Sequence, residues 1–147
     1  AGGKGLEQRR TLKKELAISG IIPLVPEDDF PREIAPSLVE VAMLSKGDIE
    51  LVFINVESWG STTEFAQLHG NNRIAPKLRI LVDHSHHPLY GSSTSYLSDL
   101  YLTHAAVFGH VYAVDGESKG PFPSAHEVTM KLAERYRQWK AMQKLIR

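Results

Sequence analysis

Residues 49–70, IELVFINVESWGSTTEFAQLHG, constrain the fold more than any other stretch. Leu51, Val52, Phe53 and Ile54 form an apolar run of branched and aromatic residues, the composition of a strand buried on both faces. A polar break containing Gly60 follows at 55–61, and from Thr62 to His69 the pattern reads as the start of a helix. Strand, small-residue turn and helix is the layout by which an open α/β sheet turns backbone N–H groups toward a phosphate or sugar. Ser61 or Thr62 suits the helix cap, and Glu64 follows Ser61 at capping-box spacing. Glu64 therefore has two readings. It closes the start of its own helix, or it is a carboxylate that faces a ligand.

The group Gly60-Ser61-Thr62-Thr63-Glu64 resembles the Gly-[Ser/Thr]-x-x-Glu signature of the nucleoside 2-deoxyribosyltransferase-like families. These share a Rossmann-like fold with TIR-type NAD glycohydrolases and related nucleotide-sensing domains. The resemblance implies that Gly60 is the close-approach glycine, Ser61 the hydroxyl residue and Glu64 the carboxylate that attacks or stabilises the anomeric carbon of an N-glycoside. Asp48 fits the acidic residue that often begins the strand. By element order the resemblance covers residues 5–115. One position departs from the pattern: two residues before the glycine the transferases usually carry an aspartate, and this chain has Ser58, with Glu57 one further back.

The rest of the chain reads as alternating elements. Residues 6–19 form a helix with Leu12, Leu16 and Ala17 on one face, stopped by Gly20. Its cluster from Arg9 to Lys14 reads as a solvated face. Residues 21–25 read as a short edge strand interrupted by Pro23. A polar loop follows, where the resemblance implies a pocket wall, so Glu27, Asp28 and Asp29 are candidate ribose or base contacts. Residues 33–46 form a second helix, with Pro36 in its first turn and Gly47 after it. KLRILVD, 77–83, is a second buried strand. It runs into Asp83-His84-Ser85-His86-His87-Pro88, at the rim where ligands bind in this fold class. The His-x-His-His spacing does not match a helix-based zinc pattern, so no metal centre is expected there. Residues 90–95 read as a flexible polar linker, 96–108 as a helix, 110–114 as the last strand and 125–145 as a long final helix.

Composition narrows the function classes. Lys+Arg and Asp+Glu are both 17 among 147 residues, so nothing argues for a nucleic-acid partner or an anionic membrane. There is no cysteine, which excludes disulfides, thiol nucleophiles and Cys-based zinc sites. No apolar run approaches the roughly 18 residues that span a bilayer, and no signal peptide is visible, so a cytoplasmic protein is the default expectation. The chain opens Ala1-Gly2-Gly3-Lys4-Gly5. A Gly-rich turn leading into a helix normally follows a strand, so either a first strand is missing before it or these glycines are a loose terminus.

The element order predicts a single nucleotide-binding-like α/β domain over residues 1–147. Its core would be a three-layer, doubly wound parallel sheet of flavodoxin-like or Rossmann-like type, ordered 2-1-3-4-5 once the missing strand is added. The expected pocket is walled by 2–5 with Gly3, by 26–29, by 58–64 and by 83–87. Glu64, His84 and His86 are the candidate catalytic residues. Gly3, Glu27, Asp28, Ser58, Gly60, Ser61, Thr62 and Asp83 are the candidate substrate contacts. The expected partner is a small-molecule nucleoside or nucleotide, with no cofactor, and the chain is expected to be a homo-oligomer. The alternatives are a non-catalytic nucleotide sensor and a TIR-type interaction module.

Overall fold

The computed structural model describes residues 4–29, 36–116 and 120–146, with the side chains at 4, 26, 27, 36 and 37 left outside that description. Gly3 therefore lies outside the described residues, as does the side chain of Glu27. The elements in chain order are α1 (Lys4–Ile18), α2 (Pro26–Asp29), α3 (Pro36–Leu44), β1 (Val52–Val56), α4 (Trp59–His69), β2 (Leu78–Asp83), α5 (Tyr96–Val107), β3 (Val111–Val114) and α6 (Ala125–Ile146). Short 3-10 turns cover Ala75–Lys77 and His84–His86. Among the described residues no helix is long and apolar enough to cross a membrane. The residues group into two compact units, Ala1–Glu40 with His126–Arg147, and Val41–Ala125.

The second unit holds the sheet. Its three strands are all parallel, in the order β1-β2-β3. Val52 pairs with Leu78 and Val56 with Val82, while Ile80 pairs with Val111 and Asp83 with Val114. The central strand carries Ile80, Leu81 and Val82 in succession, all buried. Parallel strands need crossover connections, and right-handed crossovers along a sheet that advances in one direction put both helices on one face. Accordingly α4 and α5 meet: Phe65 and Tyr101, both fully buried, lie 5.0 Å apart between ring centroids. Lys77 fixes the entry to β2 by donating from Nζ to the carbonyls of Leu44 (2.8 Å) and Lys46 (2.7 Å), a cation at the C-terminal end of α3.

The first unit is helical. Gly20 stops α1 in the left-handed conformation (φ +83°), and the amides of Gly20 and Ile21 close onto the carbonyls of Ala17 and Leu16. Two expectations are corrected here. Residues 21–25 join no ladder, and Pro23 removes one donor a strand would need. Residues 26–29 are one helical turn, not a loop, because the amides of Asp28 and Asp29 both return to the Val25 carbonyl. The sheet accordingly has three strands among the described residues.

Candidate functional site

Parallel pairing decides which residues leave the sheet together. Val56 is level with Val82 and Asp83 with Val114. Neighbouring strands lie about 4.8 Å apart. The chain therefore emerges from one edge of the sheet as Glu57-Ser58, as His84 and as Asp115, side by side. This is the edge of strand C-termini at which open α/β sheets bind ligands.

At the first exit, α4 begins three residues earlier than the sequence suggests. Ser58 is its N-cap, in extended conformation, and its Oγ accepts from the Ser61 amide at 3.3 Å. Ser61 Oγ returns the interaction by accepting from the amides of Ser58 and Glu57, each at 3.0 Å. Ser58 and Ser61 thus make the capping box themselves. The pairing expected between Ser61 and Glu64 does not form the cap. The hydroxyls of Ser58 and Ser61 are engaged in holding the turn, and the helix amides they leave at Trp59 and Gly60 are ones that no intrahelical carbonyl reaches. Thr62 donates the first intrahelical bond to Ser58 O, 2.9 Å. Glu64 is half-buried in the second turn, on the same face as Gly60 four residues before it. Trp59, at the first helical position, is 87% exposed. The sequence signal for it is a large aromatic beside a glycine, in the turn after a buried strand.

At the second exit, Asp83 caps the turn of His84–His86. Its Oδ2 accepts from the Ser85 amide (3.1 Å) and hydroxyl. The Ser85 hydroxyl above all, with help from backbone amides of Ser85 and Gly116 and the nearby His84, holds this carboxyl below the usual aspartate range against the opposing effect of burial. The three loop histidines have separate fates. The His84 ring stacks flat on Phe122, with centroids 4.9 Å apart at 8°. His86 is exposed. His87 is buried, and both of its ring nitrogens are used: Nδ1 accepts from the Leu89 amide (3.1 Å), so the proton sits on Nε2, which donates to Val111 O (2.8 Å). His87 is a strut between loop and strand and has no ring nitrogen left for a ligand.

Residues 90–95 were expected to be a flexible linker, but their first part is tied down. The Gly91 amide donates to His87 O (2.8 Å), and the Tyr90 ring lies 4.9 Å from His87 and 5.4 Å from Phe122. A Cβ on Gly91 would overlap the Ser85 carbonyl and sit 3.0 Å from His87 O. Both obstacles are backbone, so neither swings aside. Gly91→Ala is expected to cost about 1–3 kcal/mol, read as a lower denaturation midpoint with an unchanged slope.

The third exit is Asp115, only 6% exposed, whose Oδ2 accepts from the Gly120 amide at 2.6 Å. Asp83, His84 and Asp115 each present one donor atom within 4.8 Å of the others. The expectation of no metal centre rested on spacing within one loop, and spacing of that kind cannot see a set contributed by two strand ends.

The remaining candidates lie in the first unit. Asp28 accepts a two-pronged ion pair from Arg10, at 2.9 and 2.7 Å, and Lys13 binds Asp29 at 2.6 Å. Part of the cluster read as a solvated basic face is thereby joined to the acids of α2. The Lys13 ammonium is the first cause of a lowered Asp29 carboxyl, followed by the Val25 amide. This unit also carries an open polar depression of about 250 Å³ lined by Ser19, Glu134, Arg137 and Gln138. Of the four expected wall segments, 58–64 and 83–87 lie together in the sheet-bearing unit. Comparison with protein-family models, with curated proteins and with solved structures finds no match for this chain.

Proposed function

We propose that the chain cleaves or transfers the N-glycosidic bond of a nucleoside, nucleotide or NAD. One observation carries the reading: Glu64 stands half-buried in the second turn of α4, on the face of Gly60, in the helix that begins where β1 leaves the sheet. In the proposed reaction Glu64 stabilises the oxocarbenium-like centre or forms a covalent glycosyl intermediate, as carboxylates do in glycosidases. Gly60 admits the sugar or phosphate to the helix amides. Exposed Trp59 offers a face on which a base can stack. His86 or His84 donates the proton to the departing base. The sheet of this proposal is of the doubly wound, Rossmann-like type, and β1, β2 and β3 are three of its parallel strands. A second subunit completes the pocket, and the enzyme works in the cytoplasm.

The second reading is a nucleotide sensor using the same edge. It is favoured by Ser58, which stands where the transferases carry an aspartate and whose hydroxyl is occupied in the cap. Incubating the protein with NAD and with purine and pyrimidine nucleosides and nucleotides, then separating free base by chromatography, decides between them. The proposal expects base release proportional to protein concentration. A ligand-dependent rise in melting temperature with no free base supports the sensor. Neither release nor stabilisation removes both.

A further inference from the structure

We propose that Asp83, His84 and Asp115 form a binding site for one divalent transition-metal ion of the Mn²⁺ or Zn²⁺ class. This inference does not depend on the role of Glu64. It begins with the ladder. Asp83 is paired with Val114, so the residue after each partner leaves β2 and β3 at the same level. The result is two carboxylates and an imidazole with one donor atom apiece, all within 4.8 Å. In a site with bonds of about 2.1 Å, donor atoms stand about 3–4 Å apart, so small side-chain rotations close the set.

Each donor is already held from behind. Asp83 is fixed by Ser85, Asp115 by the Gly120 amide and the His84 ring by its stack on Phe122. Outer partners of this kind orient ligands in metal sites. The donor set also selects the ion. Two carboxylate oxygens and one imidazole nitrogen, without thiolate, suit Mn²⁺ or Zn²⁺ better than Ca²⁺, which takes oxygen alone, or Cu(I), which takes sulfur. Three protein ligands leave positions for water or for an oxygen of a bound molecule. Neighbouring residues sharpen the assignment. Both nitrogens of His87 are committed, and His86 stands exposed at the end of the turn. If His84 is a ligand it does not also donate a proton, which leaves that step to His86.

The test uses untagged protein stripped with a chelator, titrated with Mn²⁺ while the signal of the free ion is followed by electron paramagnetic resonance. One ion per chain is expected, bound below about 100 μM. His84→Phe keeps the aromatic stack and removes the donor, so it should fold and weaken binding at least about tenfold. Asp115→Asn should weaken it similarly, and if that variant does not fold, His84→Phe decides alone. His86→Ala should bind as the wild type does. No uptake up to about 1 mM overturns the site, and so does binding that survives His84→Phe but is lost in His86→Ala.

Discussion

Glu64→Gln lowers base release by at least about 10³-fold and leaves a cooperatively folded protein. The factor corresponds to at least about 4 kcal/mol of transition-state stabilisation. It follows from charge. Glutamine matches glutamate in shape, but it neither balances the positive anomeric centre nor forms a glycosyl ester. The structure gives the variant reason to fold. Ser58 and Ser61 close the start of α4, and position 64 lies in the second turn, where glutamine is about as good a helix former as glutamate. The measurement pairs initial rates with a thermal melt and far-UV circular dichroism. Wild-type turnover in the variant takes Glu64 out of the reaction. Loss of activity together with loss of the cooperative melt makes the carboxylate a structural group.

The same helix shows which parts of the chain could be read in advance. The strand before it announced itself, because Val52 to Ile54 have no polar residue to place on a wet face. Ile80 to Val82 were legible for the same reason, and α5 and α6 by their spacing. The start of α4 was not. The capping rule looks for a glutamate or glutamine three residues after a serine, and it selected Ser61 and Glu64. The box that forms uses serine at both ends, three residues earlier, and a Ser-x-x-Ser pattern is too common to stand out. The segment 21–25 misled in the opposite direction. Ile21, Ile22, Leu24 and Val25 have strand composition, but a strand needs a neighbour to pair with, and composition cannot report one. Asp115 was missed because its significance lies across a ladder, 31 residues from His84. The fate of the loop histidines was equally out of reach, since only the Val111 carbonyl on the next strand makes His87 a strut.

A histidine pair that no local pattern marks leads to the second large effect: stability should fall by about 3 kcal/mol as pH drops from 6.5 toward 4. His104 on α5 is fully buried, and its Nδ1 lies 2.7 Å from Nδ1 of His69 on α4, so one ring donates to the other. Its other nitrogen, Nε2, is buried and has no hydrogen-bond partner among the described residues. The ring packs among Phe65 and Phe108, at 5.6 and 5.1 Å. Burial pushes its pKa down to about 4, and the charges of His69, His110 and Arg79 act in the same direction. Burial lowers His69 as well.

The sign follows from proton counts. An unfolded histidine titrates near 6.5. Between there and about 4 the unfolded chain binds a proton that the folded chain refuses. Stability is therefore complete above 6.5 and declines as pH falls through that window, and the gap is worth about 3 kcal/mol. Denaturant unfolding at a series of pH values from 7.5 to 4 measures it. His104→Phe keeps a ring among Phe65 and Phe108 and leaves half-buried His69 able to turn its nitrogen toward water. That variant should lose most of the slope in this window. An unaltered slope would mean that the folded protein accepts the proton on His104, which requires the α4–α5 contact to open in mild acid.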